Sequence, residues 1–396
     1  LRSEVEYSKH NVYYILCAML LSSLLALIYT NDLFTAYVFV EINTIAAAGL
    51  IMIRQNGRCI EAAVRYMIMS LLGSGLLLLG ICMLYDLTGH LLMENIRRQI
   101  VVIMAAGTYR IPMLIMIGIL TVGLAIKSAL FPFHSWVPDA YGYATVSSGA
   151  ILSSLVSKGY IFLLFKIFYR VVGFEVIAQS HILNMLFLFG LCGMIFGSVS
   201  AIWEKDIRRM IAFSSVAQIG YIYMGIGMGT DAGMMAAMFH LFSHTLCKSM
   251  LFLAAGGLAD ASGNSKRFSD LRGAGFRHPA AGGCFTIASM SLVGVPVLGG
   301  FVSKLYLSDA AITAGGARMW IMLIALAIST LLNVLYLMKT VVTLYRPARE
   351  GFSAPVVRRG WRTEIALWGF VVLNLLVGLM ADSTVQAIRS GLVMFD

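Results

Sequence analysis

Runs of apolar residues about 20 long, the length a helix needs to cross a bilayer, recur eleven times along this chain with polar breaks between them. They cover approximately 12–30, 33–53, 63–85, 111–131, 147–173, 181–203, 210–230, 234–257, 280–307, 317–345 and 365–388. The runs are continuously apolar instead of alternating, which predicts helices and not barrel strands. The longest polar connectors, 258–279 and 346–364, are both basic, and no linker sets off a soluble module. The expected fold is all-α: a polytopic transmembrane helical protein of about 11 helices, a single membrane domain over 1–396.

Composition agrees. The chain is 59% hydrophobic and 12% charged, with mean hydropathy +0.85, against about 25% charged residues in a soluble domain. A disordered, fibrous or disulfide-stapled chain is excluded. The formal charge of +10 would suggest nucleic acid in a soluble protein. Here the basic residues sit between apolar runs, where anionic lipid headgroups meet them. No nucleic-acid partner is expected.

Positive charge also orients the chain. The N-terminus and the loops after the even-numbered runs hold 17 Lys and Arg: Arg2, Lys9, Arg54, Arg58, Arg65, Lys205, Arg208, Arg209, Lys266, Arg267, Arg272, Arg277, Arg346, Arg349, Arg358, Arg359 and Arg362. The opposite side holds six: Arg97, Arg98, Arg110, Arg170, Arg318 and Arg389. The positive-inside rule places residue 1 in the cytoplasm and the C-terminus outside, in a cell (inner) membrane. The first run is followed at once by a second, which is spanning behaviour and not that of a cleavable leader.

Six lysines fall outside both groups: Lys127, Lys158, Lys166, Lys248, Lys304 and Lys339, and one acid, Glu41, joins them. A charge at the bilayer centre costs at least about 2.5 kcal/mol, so such groups must face protein or water or change protonation state. Lys166 and Lys339 lie near run ends and are expected to snorkel. Glu41 is either one half of a structural ion pair or an acid that modulates a nearby lysine. Burial lowers a lysine's pKa and a close carboxylate raises it, so a lysine held between the two can serve as a proton relay.

Lys127 lies in GLAIKSALFPFHSWVPDAY, where Pro132 and Pro138 predict an interrupted helix. His134 and Asp139 follow at the break; His134 is a relay group or a satisfied structural histidine. The stretch SLVGVPVLGGFVSKLYL repeats the device, with Pro296, Gly299 and Gly300 before Lys304. Paired interrupted segments point to an internal repeat with an ion site at its interface.

Between them, FHLFSHTLCKSMLFL sets His240, His244 and Lys248 four apart on one helix face. Zinc is the rival for two histidines at that spacing. With no third ligand nearby and a cation one turn on, a hydrated proton path fits better. Lys158 adds a further group. Ser153, Ser154, Ser157, Ser214, Ser215 and Gln218 either line the route or pack helices. Tyr13, Tyr14, Trp136, Trp203, Trp320 and Trp361 fit interfacial belts. Cys17, Cys59, Cys82, Cys192, Cys247 and Cys284 show no CxxC pair and read as small hydrophobes. No nucleotide fingerprint, haem motif or catalytic triad is present, so no cofactor and no metal is expected in this chain.

The stretches NDLFTAYVFVEI, KSALFPFHSWVPDAY, SKGYIFLLFK, AFSSVAQIGYI, FHLFSHTLCKSMLFL and GVPVLGGFVSK resemble the antiporter-like membrane subunits shared by respiratory complex I, membrane-bound hydrogenases and Mrp-type cation/proton antiporters. The resemblance implies a body of fourteen helices with two inverted five-helix repeats. The eleven runs are similar to its helices 4 to 14, which would place three further helices before Leu1. The first repeat would cover 12–173, the second 181–345, and a final peripheral helix 365–388. It also implies a proton relay of Glu41, Lys127, Lys158, His240, His244, Lys248 and Lys304, with His134 and Asp139 secondary. Lysine at 304 makes the chain look most like the Mrp D subunit or the smallest complex I homologue. The implied function is a non-redox, proton-translocating subunit of an NADH:quinone oxidoreductase-like, hydrogenase or antiporter complex. Its implied partners are other membrane subunits, lipids and protons. Sodium/proton exchange, a non-conducting scaffold and a truncated relic stand as alternatives.

Overall fold

A computed structural model describes residues 4–107, 109–348 and 360–393. Arg2, Arg349, Arg358 and Arg359, counted above for orientation, lie outside the described residues. The described chain is helical throughout, and ten of its helical stretches are long and apolar enough to cross a membrane.

The first half contains α1 (His10–Tyr29), α2 (Leu33–Met52), α3 (Gly57–Thr88), α4 (Met93–Ala106), α5 (Arg110–Lys127), α6 (Val137–Tyr143), α7 (Val146–Ile151), α8 (Ser157–Lys166) and α9 (Phe174–Gln179). Wider π turns at Leu152–Val156 and Ile167–Val172 make α7 and α8 part of one span, Val146–Val172. The second half contains α10 (Ile182–Trp203), α11 (Ile207–Gly227), α12 (Asp231–Asp260), α13 (Ala274–Arg277), α14 (Pro279–Val293), α15 (Gly299–Ala314), α16 (Gly316–Leu344), α17 (Trp361–Leu379) and α18 (Ala381–Val393).

Helix starts follow the polar breaks in the sequence. Asp32, Asn56, Asp206 and Thr230 each accept a backbone N–H of the first turn they precede, the usual way to satisfy those donors. The run 280–307 is two helices, α14 and α15, parted at 294–298 around Pro296, the interruption the sequence predicts; Gly294 there has φ +101°. The run 365–388 is also two, α17 and α18. The connector 86–110 contains α4, which buries Met93, Ile96 and Ile100 at helical spacing and exposes its other face.

The hairpin-like chain returns fix two polar faces. On the face where α1 begins, Glu4 pairs with Arg208 at 2.9 Å, Arg65 with Asp139 at 2.8 Å, and Arg209 with Asp139 and with Glu204. On the opposite face cations meet carbonyls at helix ends. Arg97 donates to Tyr169 O and Arg318 to Met228 O. Lys166 donates to Ile28 O at 2.9 Å and to Thr30 O, which end α1. Lys166 is therefore not snorkelling: it is buried, and it complements the negative end of a neighbouring helix. Tyr13 and Trp136 are buried too and belong to no interfacial belt, whereas Trp203, Trp320 and Trp361 are exposed.

Close helix crossings hold the interior together. A Cβ on Gly73 of α3 would lie 2.8 Å from Gly123 O of α5, and one on Gly123 the same distance from Gly73 O. These two glycines let α3 and α5 touch backbone to backbone, one turn from Lys127.

Candidate functional site

The first cluster sits where α2, α3 and α5 meet. Lys127 is the last residue of α5, just before the break, and only 1% exposed. Its Nζ lies 3.6 Å from Glu41 Oε1, donates to Thr44 Oγ1 at 2.8 Å and to Ser70 Oγ at 3.4 Å, and stands over the Tyr160 ring. Ser74 donates to Glu41. Glu41 and Thr44 are three apart on α2, so one helix face presents both the acid and a neutral acceptor to the same amine. Such a set can hold the lysine's proton in more than one arrangement.

The second cluster bridges the halves. Lys158, buried, follows the π turn at Leu152–Val156; its amine donates to the Ser153 carbonyl within that turn and to Ser157 Oγ at 3.2 Å. Single π turns inside α-helices recur at functional sites. Ser153 and Ser215 share a hydrogen bond of 3.0 Å, and Ser128, which caps α5, shares one of 2.6 Å with Tyr223 of α11.

The third cluster is the row on α12. His240, His244 and Lys248 are at most 2% exposed. The two imidazoles lie 6.2 Å apart and nearly parallel, and Tyr221 stacks on His240 at 5.2 Å. His240 Nδ1 bonds Ser303 Oγ at 2.9 Å, while neither His244 nitrogen has a hydrogen-bond partner among the described residues. Gln218, fully buried on α11, is likewise unpartnered at both amide atoms. Lys248 donates to Ile211 O at 3.0 Å and to Ser214 Oγ at 2.7 Å. The π turn before Lys158 packs against α12, where Thr245 Oγ1 donates to Ser154 O at 3.0 Å.

Lys304 lies in the second turn of α15, past the 294–298 break, and is half-buried. It donates to Val293 O at 2.9 Å, a carbonyl freed at the end of α14, and to Thr330 Oγ1 at 3.0 Å, and stands over the Tyr221 ring. The geometry allows this because Gly300 has no side chain: a Cβ there would overlap the Ser291 carbonyl.

The structure thus brings Glu41 to Lys127, and Lys158 to the α12 row, and sets Lys304 beside Tyr221, which stacks on His240. Asp139 is not with them. It sits at the α1-start face, held by Arg65 and Arg209. His134 is half-buried and stacks on Phe131.

A further polar chain was not anticipated. The Tyr336 hydroxyl shares its one proton between Ser214 Oγ at 3.0 Å and Asn333 Oδ1 at 2.7 Å, and Asn333 donates to Tyr221 OH at 3.4 Å. This joins Lys248 to the ring against which His240 and Lys304 rest. The signal lies in α16, where Ser329, Asn333, Tyr336 and Thr340 fall on one face of an apolar helix and are all buried.

Comparison with known proteins fits this geometry. Residues 30–332 match the family described as NADH:quinone oxidoreductase/Mrp antiporter, TM. The chain is 36% identical over 360 residues to NADH-quinone oxidoreductase subunit N of Desulforudis audaxviator, covering 89% of this chain and 70% of that protein. It superposes on a chain of an archaeal respiratory membrane complex, the membrane-bound sulfane sulfur reductase, with TM-score 0.84 and 26% identity over 96% of this chain and 75% of that one. A chain of the Mrp complex from Dietzia gives TM-score 0.80 and 25% identity over 93% and 75%.

Proposed function

This chain belongs to the NADH:quinone oxidoreductase/Mrp antiporter membrane-subunit family, and we propose that it moves protons along its buried axis as one subunit of a multisubunit membrane complex. The observation that carries the reading is the Glu41–Lys127 pair, an acid and a base 3.6 Å apart inside apolar spans. Glu41 holds the ammonium in place. When the carboxylate is neutralised or withdrawn, the amine is left on Thr44 and Ser70 and passes its proton inward. Lys158, His240, His244 and Lys248 relay it, and Lys304 exchanges it on the far side. Buried polar atoms are normally hydrogen-bonded, so His244 and Gln218 mark where ordered water completes the route.

The two broken helices, α5–α6 and α14–α15, support the division into inverted repeats over 12–173 and 181–345. The basic face where α1 begins supports a cytoplasmic start and an inner-membrane location. Redox or nucleotide chemistry would then belong to partner subunits, as expected of a chain similar to NADH-quinone oxidoreductase subunit N. A sodium cage from Glu41 and Asp139 finds no support, because Asp139 is occupied by Arg65 and Arg209.

Proton uptake by the purified complex, reconstituted in vesicles, tests this. Lys127→Ala should abolish coupled proton movement while the complex assembles normally, and Lys127→Arg should restore part of it. Unchanged transport in Lys127→Ala would leave the chain a scaffold.

A further inference from the structure

On the face where α1 begins, a cavity of about 580 Å³ opens between the α2–α3 turn and the loop after α12. Arg54, Arg58, Lys266 and Arg267 line it against a single acid, Asp206. That acid is already engaged as the cap of α11, accepting from the Arg208 and Arg209 amides. Arg54 reaches Glu4 only at 3.9 Å, and Glu4 is committed to Arg208 at 2.9 Å. Lys266 is fixed rather than free to swing into water, its Nζ donating to Gly142 O at 2.9 Å. Burial, and then Arg208, pull the Lys266 amine down to about 8 despite Asp206. Four cations are therefore held around one opening with too little negative charge to balance them, an arrangement that an anion stabilises.

A second cavity, about 930 Å³, shares Arg58, Tyr143, Asp206 and Arg267 with the first and continues along Ile202, Trp203 and Phe268, with Lys205, Lys339 and the Arg209–Glu204 pair on its other walls. Trp203 ends α10 and is 79% exposed, as an indole at the membrane–water boundary would be. α2, α10 and α12 end, and α3 and α11 begin, at this level. A basic cup thus meets a channel with one apolar wall, Ile202, Trp203 and Phe268, where these helices end.

We propose that this paired cavity binds an anionic phospholipid, its phosphate among Arg54, Arg58, Lys266 and Arg267 and an acyl chain along Trp203 and Phe268. A soluble phosphate would use the cup and leave the channel. A neutral lipid would use the channel and leave the cations uncompensated.

The test uses the intact complex in phosphatidylcholine nanodiscs doped with a photoactivatable phosphatidylglycerol. Label should appear on the peptides containing Arg58 and Arg267. Unlabelled phosphatidylglycerol should compete for it; phosphatidylcholine and inorganic phosphate should not. At sub-saturating lipid, Arg58→Gln with Arg267→Gln should lower labelling roughly thirtyfold, since each basic residue near the surface adds about one kcal/mol of attraction to anionic lipid. If that variant fails to assemble, the competition on the unaltered complex decides. Labelling indifferent to unlabelled phosphatidylglycerol, or displaced by inorganic phosphate, overturns the proposal. So does crosslinking of Lys266 to carboxylates of a neighbouring subunit in place of lipid.

Discussion

Lys248 and Tyr336 meet at one oxygen: Ser214 Oγ accepts from the lysine amine at 2.7 Å and from the tyrosine hydroxyl at 3.0 Å. Tyr336 has one proton to divide between Ser214 Oγ and Asn333 Oδ1, so a change at Lys248 that alters Ser214 shifts that balance. The lysine's state is therefore felt by Tyr336 and, through Asn333, by Tyr221 beneath Lys304.

Tyr336→Phe removes one hydroxyl and leaves the ring. Proton transport should slow several-fold, in line with the roughly 1 kcal/mol net worth of a buried hydrogen bond, while the assembled complex keeps its yield. Ser214→Ala should slow it further, because Lys248 then keeps only Ile211 O. Transport rates per complex in vesicles decide it; equal rates for Tyr336→Phe and the parent would remove this branch from the path.

Asp139→Asn should act on assembly and not on conduction. Asp139 ties α6 to Arg65 of α3 and Arg209 of α11, far from the lysine row in bonding terms. Arg65 is half exposed, so the loss should be about 1–3 kcal/mol, between the values for surface and buried pairs. Less complex should be recovered, with transport per complex unchanged. The opposite pattern would put Asp139 on the route.

Glu4 gives a pH signature. Burial alone would raise its carboxyl, but Arg208, the Val146 amide and Arg54 outweigh that and hold it below the ordinary 4.5. A carboxyl lowered by folding stabilises the fold fully above its free value, and the contribution is lost as pH falls through the lower, folded value. Glu4→Gln should therefore lower the melting temperature at pH 7, where about 3 kcal/mol is at stake when a buried pair loses one partner. The gap between variant and parent should narrow progressively below pH 4.5. A gap constant from pH 7 to pH 3.5 would contradict this.

Gly300→Ala should damage the second break. Its new methyl meets the Ser291 backbone carbonyl, which no rotamer can move aside. Overpacking of this kind costs about 1–3 kcal/mol, and α15 must shift, taking Lys304 off Val293 O. Lower thermal stability together with reduced transport is expected. Gly391→Ala, with open space around its Cβ, is the neutral control.

Much of this was legible because charge in an apolar run is a loud signal. Glu41, Lys127 and the four-residue spacing of His240, His244 and Lys248 stand out against leucine and methionine, and prolines announce the breaks. What stayed hidden lacks that contrast. Tyr336 and Asn333 also occur in apolar helices as packing residues, and only the face they share with Ser329 and Thr340 distinguishes them. The turn at Met380 is too short to interrupt a hydropathy run, so α17 and α18 read as one. α4 falls outside the apolar runs because its apolar residues form a stripe and never a run. Lys166 looked like a lysine reaching for water, since no sequence shows that the last carbonyls of α1 lie beside it.

The 2.6 Å bond between Ser128 and Tyr223 has a mechanical meaning. Ser128 is the residue after Lys127, and Tyr223 rides on the same rigid helix as Ser214 and Ile211, the two partners of Lys248. In the proton route proposed above, a shift of the α5 end at Lys127 would therefore pull on the helix that holds both acceptors of Lys248.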